Sequence, residues 1–356
     1  MITARGAKKS AIYDRLKDQG AYFKDVSGWE GADWFAPEGR EAKIEKHSWG
    51  RSDWFAYWEA EHRAARENVI LMDMSFLSKF MVQGRDAGKV LNYISANEVN
   101  EKLNQITYTP WLNEDGKLEA DLTVAKLEPE KFLVVVTDTM HRHAETWLKR
   151  NIPEDAHAFV TDMTSAYAQI NIQGPNSRKL LQSITSADLS NEAFPYRHAE
   201  EIAIGYGRAI CVRITYLGEL GYELYIPTEQ TLHVYDTIVE AGKTFNLTHA
   251  GLKALGSLRM EKGYRDYGHD MDNTDDPYET GLGFTIKLDK PDGFIGKAAC
   301  EKKKAQGPLK RRLAQVLVKD PEPLLFHAEV ITRNGKNAGY VRSGSHSIPL
   351  QHPLFP

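Results

Sequence analysis

Two stretches of the chain echo one another, and the echo constrains the fold more than any other feature. Residues 80–94 read FMVQGRDAGKVLNYI and residues 170–184 read INIQGPNSRKLLQSI. In each, a short apolar strand ends in Gln-Gly (Gln83-Gly84, Gln173-Gly174), a polar turn follows, and paired apolar residues then recur at helical spacing. Pro175, directly after the second glycine, is a favoured helix-entry residue. The first copy leads into YTPWLNEDGKLEADLTVAKL and KFLVVVT, then a helix near HRHAETWLKRN. The second leads into EIAIGYGRAICVRITYLGELGYELYIP, then a helix near TLHVYDTIVEAGKTFN. The order β-α-β-β-α recurs, as in split β-α-β units with antiparallel sheets. The expected fold class is α+β, with two related domains built on the two copies.

The flanks divide the chain further. Residues 1–47 read as an irregular segment wrapping the body, rich in Gly, Trp and charge, with Trp29, Trp34 and Phe35 as anchors. Residues 48–160 form the first α+β domain, opened by a helix running into a strand in YWEAEHRAARENVILMDMS, and 161–250 form the second. A helix and loop connector spans 251–308. Residues 309–356 read as a small β domain containing RRLAQVLVKD and EVITRNGKNAGYVRSGS. The closing SHSIPLQHPLFP does not continue the strand pattern, and this domain is expected to be incomplete.

A chain of 356 residues can bury two or three cores. With a net charge of −4, nothing favours wholesale binding to nucleic acid or an anionic membrane. An anionic ligand would have to be met by a local basic site. Cys211 and Cys300 lie far apart and no CxxC occurs, which points to a reducing cytoplasm rather than a disulfide framework. No apolar run approaches the roughly 20 residues of a membrane span.

Three stretches carry candidate chemistry. YTPWLNEDGKLEADLTV alternates as a half-buried strand does, with Asp121 among the polar positions. Taken alone, that stretch puts Asp121 on a solvated face. RITYLGELGYELYIP, residues 213–227, brings Tyr216 and Glu223 together across a Gly-Glu-Leu-Gly turn. A carboxylate between Tyr222, Leu224 and Tyr225 needs a partner. Arg213 or Arg259 would serve in a structural ion pair, and so would a ligand with adjacent N–H donors. In ALGSLRMEKGYRDYGHDM, residues 254–271, Arg259 and Lys262 could hold an anion or simply form a solvated helix face. Other patterns fall away. His141 and His143 point apart on a helix. HDMDNTDD lacks the glycine and closing glutamate of a calcium loop, and no nucleophile-elbow motif occurs.

Taken together, GWEGADWFAP, SFLSKFMVQGRDA, YTPWLNEDGKLEADLTV, INIQGPNSRKLL, TYLGELGYELYIP, SLRMEKGYRDYGHDMDNTDDPYETGLGF and FIGKAA resemble the folate-binding aminomethyltransferase family. This is the family of the glycine-cleavage T-protein. The chain is most similar to the T-protein-like C-terminal half of dimethylglycine and sarcosine dehydrogenases. The resemblance spans residues 20–345 and implies a three-domain cloverleaf around tetrahydrofolate, its first two domains interleaved about the folate site. It implies that Asp121 is the catalytic aspartate and that Tyr108, Tyr216, Glu223, Arg259 and Tyr267 are folate-pocket positions; no metal is called for. Gly116-Lys117 stands where the family has Gly-Gly, and the family's final strands are expected to be lost after Ser345.

The activity implied is transfer of a methylene or aminomethyl unit from an N-methyl-amine-derived iminium to tetrahydrofolate, giving 5,10-methylene-tetrahydrofolate. The chain shows no flavin-binding half, so the one-carbon unit is expected from a separate flavin-dependent oxidase or a fused one. The same superfamily leaves open a demethylase giving 5-methyl-tetrahydrofolate, or a non-catalytic regulatory folate-binding relative. Its tRNA and iron–sulfur maintenance branch carries a KGCYxGQE-type stretch. Here that region reads EKGYRDYGHD, which argues against that branch.

Overall fold

The computed structural model describes residues 4–44, 50–320 and 322–348, with the backbone of 352–355. The N-terminal tract is more regular than its composition suggests. After helix α1 (Tyr13–Asp18) it forms an antiparallel hairpin of β1 (Ala21–Val26) and β2 (Trp29–Phe35). Ser27 and Gly28 both take positive φ, 50° and 87°, which lets a two-residue turn follow the twist of its strands. Trp34 is fully buried and stacks between Tyr22 and Tyr57. Helix α2 (Phe55–Glu67) and strand β3 (Val69–Asp73) follow.

The first copy runs β4 (Ser78–Gln83), α3 (Ala87–Ile94), β5 (Gln105–Leu112), β6 (Leu118–Glu128), β7 (Lys131–Val136) and α4 (His141–Arg150), and then β8 (Phe159–Asp162). The second runs β9 (Tyr167–Gln173), α5 (Ser177–Gln182), β10 (Ala199–Ile204), β11 (Gly207–Val212), β12 (Gly221–Pro227) and α6 (Thr231–Gly242), and then β13 (Leu247–His249). Three strands rather than two separate the helices of each copy. The sheets have the orders β5-β6-β7-β4-β8 and β10-β11-β12-β9-β3-β13. The first strand of each copy therefore has a neighbour from outside the copy: β8 beside β4, and β3 beside β9. Strand β3, which precedes the first copy, thus belongs to the second sheet.

The repeated glycine explains the junction. Gly84 and Gly174 have φ of +127° and +120°. A Cβ on Gly84 would meet the His157 carbonyl oxygen at 2.2 Å, and one on Gly174 the Asn68 carbonyl oxygen at 2.5 Å. In both copies the strand-to-helix turn presses against the backbone that leads the flanking strand, and only glycine fits there.

Each sheet buries one face under its helices. Phe80, Leu91, Leu122, Val124, Val134 and Leu148 form one core, and Ile170, Ile172, Leu180, Leu224, Ile226 and Ile238 the other. The opposite faces meet each other. Met81, Ile106, Ala125, Leu133 and Val135 from the first sheet pack with Ile210, Val212 and Tyr225 from the second. Helix α7 (Leu252–Glu261) packs on α2, and helix α8 (Lys297–Ala305) follows a long loop. The C-terminal part holds β14 (Val316–Leu317), a hairpin of β15 (Val330–Arg333) and β16 (Lys336–Tyr340), β17 (Ser345–Ser347) and β18 (His352–Phe355). The chain does not lose its strands after Ser345: the closing tail supplies β17 and β18, which pair with each other. Among the described residues no helix is long and apolar enough to cross a membrane.

Candidate active site

Strand β6 builds one wall. Ala120, Leu122 and Val124 lie in the core beneath the helices of the first copy. Period-two alternation then turns Asp121, Thr123 and Ala125 toward the second sheet. In register with them on β5 stand Pro110, Tyr108 and Ile106. The Tyr108 hydroxyl reaches diagonally to donate to Asp121 Oδ2 at 2.8 Å. Asp121 is thus on the polar face of its strand, but that face looks into the space between the sheets rather than into bulk water. Its surface is only partly covered. Even so, burial pushes its carboxyl up to about 7, against the Tyr108 hydroxyl, which favours the anion, and the charge of Asp266 adds to the rise.

Strands β12 and β9 build the opposite wall. Glu223 and Tyr225 share a face with Val212 and Ile210 of β11 and with Asn171 and Gln169 of β9, their register partners. The Tyr225 hydroxyl donates to Glu223 Oε2 at 2.6 Å, and the Asn171 amide also bonds this carboxylate. The second bond fixes the amides in sequence. Asn171 gives its N–H to Glu223, so its Oδ1 accepts Gln169 Nε2–H at 3.1 Å, and Gln169 Oε1 is left without a partner. The structural ion pair is not realised. Among the described residues no cation pairs with Glu223; Arg213 donates to the Phe194 carbonyl at 2.7 Å and Arg259 to Asp270. Burial pushes the Glu223 carboxyl up to about 7, against the Tyr225 and Asn171 bonds.

The loop after α7 closes over these walls. Tyr216 donates to the Arg265 carbonyl at 2.6 Å and stacks on Tyr264. Tyr267 packs with Leu112, Leu118 and Met271, and its hydroxyl donates to the Leu118 carbonyl at 3.2 Å. Arg259 is buried and bound to Asp270 and to the Tyr264 carbonyl. Tyr108, Asp121 and Tyr216 therefore share one electrostatic neighbourhood with Asp266, Asp270 and Arg259. The hydroxyl of Tyr267 and the guanidinium of Arg259 are already committed to protein partners. Lys262 is exposed, 4.0 Å from Glu219. Sequence reasoning missed Asn171, Gln169, Tyr225 and Asp266. The first two were open to the alternation argument applied to Asp121, because Gln169, Asn171 and Gln173 alternate through QINIQ. Two surface hollows of about 500 and about 870 Å³, beside α8 and α6, take in none of the nominated residues. Among the described residues no group of three or more His, Cys, Asp or Glu side chains is arranged to hold a metal.

Two interleaved α+β units packed face to face set the architecture, and the chain belongs to the GCVT family, whose "GCVT N-terminal domain" matches residues 12–290. Among curated proteins it is 39% identical, over 98% of its own length, to 4-methylaminobutanoate oxidase (formaldehyde-forming) of Paenarthrobacter nicotinovorans, and spans 42% of that protein. It is 36% identical to the aminomethyltransferase of Halothermothrix orenii, covering 87% of this chain and 85% of that one. Its fold superposes on the glycine cleavage system aminomethyltransferase T of Bartonella henselae with a TM-score of 0.80, at 20% identity, over 98% of this chain and 88% of the other. The chain is an aminomethyltransferase-like protein. It spans about two-fifths of the length of the oxidase it resembles.

Proposed function

We propose that the protein moves a one-carbon unit from an N-methyl-amine-derived iminium onto tetrahydrofolate, giving 5,10-methylene-tetrahydrofolate. The observation that carries this reading is Glu223, a half-buried carboxylate held only by neutral donors on the face of the second sheet that packs against the first. The residues present fit a tetrahydropterin. Its guanidine-like edge offers adjacent N–H donors, Glu223 lacks a cation, and Gln169 Oε1 is a further unpartnered acceptor on the same wall.

Tetrahydrofolate, when bound, supplies the nitrogen that takes up the one-carbon unit. Glu223 would accept two N–H bonds from the pterin edge, with Tyr225 and Asn171 holding the carboxylate in place. Tyr108 holds Asp121 through Oδ2. The other oxygen, Oδ1, would stabilise positive charge at the reacting carbon and accept the proton that a folate nitrogen loses on bonding that carbon, while the folate's second lost proton leaves with the amine. A carboxyl held up to about 7 can take and return that proton near neutral pH. The iminium would come from a flavin-dependent N-methyl-amine oxidase, on a separate chain or in the same polypeptide.

Calorimetric titration with tetrahydrofolate tests the reading. The wild type should bind, and Glu223→Gln should bind at least about tenfold more weakly, because an amide puts an N–H where the pterin also has one. Absence of binding to the wild type rejects the assignment. Mass analysis of the folate product should then find the methylene form; 5-methyl-tetrahydrofolate would make the protein a demethylase.

A further inference from the structure

The loop that covers Asp121 brings a second carboxylate with it. Tyr216 pins the loop at the Arg265 carbonyl, and Tyr267 pins it at the Leu118 carbonyl, three residues before Asp121 on β6. Between the two pins lies Asp266. Its backbone N–H donates to Asp270 Oδ2 at 3.0 Å, so the backbone rather than the side chain holds its place. The side chain, 35% exposed, has two neighbours: His269 Nδ1 at 3.2 Å and Arg259 Nη2 at 3.9 Å from Oδ2. His269 is itself 68% exposed.

Asp270 lies as near to the site but has little charge left to project. Arg259, the Asp266 N–H and the Ser343 hydroxyl all bind it. Arg259 is thereby drawn to Asp270 and stands 3.9 Å from Asp266, which leaves the exposed imidazole as the nearer cationic partner of Asp266. We propose that Asp266 is a positioning residue for the one-carbon step, a second carboxylate whose charge sets the ionisation of Asp121 and is itself set by His269.

The groups turned toward Asp121 define the balance. Tyr108 from β5 donates to it, and Asp266 and Asp270 from the loop disfavour its ionisation. Tyr216 stands within reach of Asp121, Asp266 and Arg259 together. Asp266 in turn holds the His269 imidazolium above its ordinary range by a direct hydrogen bond. When His269 carries its proton it neutralises Asp266, and Asp121 ionises more readily. When the proton leaves, Asp266 regains its full charge and Asp121 holds its own proton more firmly. The pair thus opposes large changes in the charge of Asp121 across neutral pH.

The inference rests on the reading of Asp121 as the acid–base group, and its test is separable from that reading. The side-chain carboxyl carbon of Asp121 is titrated by NMR in wild type, Asp266→Asn and His269→Gln, without folate. Asp266→Asn should lower the Asp121 midpoint by about one pH unit, the size expected of one charge lost nearby in a partly screened site. His269→Gln should raise it. The acid limb of the pH–rate profile should follow both shifts. Unmoved midpoints in both variants overturn the inference, and so does a shift of both in one direction. Moved midpoints with an unmoved rate profile uphold the electrostatic coupling and reject Asp121 as the rate-governing acid. Asp266→Asn keeps the backbone bond to Asp270, and His269→Gln lies at the surface, so either variant alone reports if the other fails to fold.

Discussion

Asp121 shows how one side chain's role depends on where its strand faces. Alternation gives its face correctly, but not what lies beyond that face. The hydrophobic partners of Ala125, four residues on, are Val212 and Tyr225, far along the chain, and they set this strand face against the second sheet. The Tyr108 bond and the carboxyl's rise to about 7 then define the expected behaviour of the site. In the proposed transfer the working form is the carboxylate, so the rate should climb as pH rises through about 7 and level off above it. Asp121→Asn should slow transfer by roughly 10²- to 10⁴-fold while tetrahydrofolate still binds, the range for a positioned acid–base group. Single-turnover rates and calorimetry on the same preparation check both halves, and unchanged turnover would remove Asp121 from the mechanism. Arg259 and Tyr267 show the opposite case. Their residue types suit a folate pocket, but the structure commits the guanidinium to Asp270 and the hydroxyl to Leu118. Their partners come from a loop whose path no periodicity reports.

At the scale of elements, the echo of two Gln-Gly turns was legible because the same local problem, a strand turning into a helix against a neighbouring backbone, has the same glycine solution twice. The exchange of β3 and β8 was not legible, since strand pairing between distant segments leaves no mark within either strand. Helix α2 was likewise readable as a helix, but the burial of Glu61 was not, because a glutamate in YWEAEHRAARE reads as solvated. In the structure its carboxylate is buried and accepts the Phe35 N–H of β2 at 2.7 Å and the Gly251 N–H at the start of α7 at 2.9 Å. One side chain on α2 thereby fastens the N-terminal hairpin and the helix that leads into the site loop. Glu61→Ala strips both buried N–H groups of their acceptor, and at about 1–3 kcal/mol for each unsatisfied group it should lower stability by about 2–6 kcal/mol. Urea unfolding measures this. A loss below about 1 kcal/mol would mean that water or a shifted carbonyl replaces the carboxylate.

The whole molecule is held around the site by charge as well as by apolar packing. The tract HDMDNTDDPYET, which composition likens to a calcium loop, binds cations of the protein's own. Asp272 and Asp275 accept from Arg342 at 2.9 and 2.5 Å, Asp275 and Glu279 pair with Arg311, and Asp276 and Glu279 with Lys303. These cations come from α8, from the stretch between α8 and β14 and from the turn after β16, so the acids join the loop after α7 to the C-terminal part of the molecule. The pairing was invisible in the sequence, because its two sides lie tens of residues apart and share no periodicity. Its pH dependence has a definite sign. Burial works against ionisation of Asp272, but the Thr274 and Arg342 bonds outweigh it and hold the carboxyl at about 2, below its ordinary range near 4. A depressed carboxyl contributes stability that is complete above its unfolded value and is lost as pH falls from about 4 toward about 2. Arg342→Gln removes the guanidinium and with it part of that depression, so the variant should be less stable than wild type at pH 6 and should approach it by pH 2–3. Thermal midpoints of both proteins across that range decide the matter. A gap that stays constant down to pH 2 would show that Arg342 acts through its packing, over the ring of Tyr340, and not through its pairing with the acids.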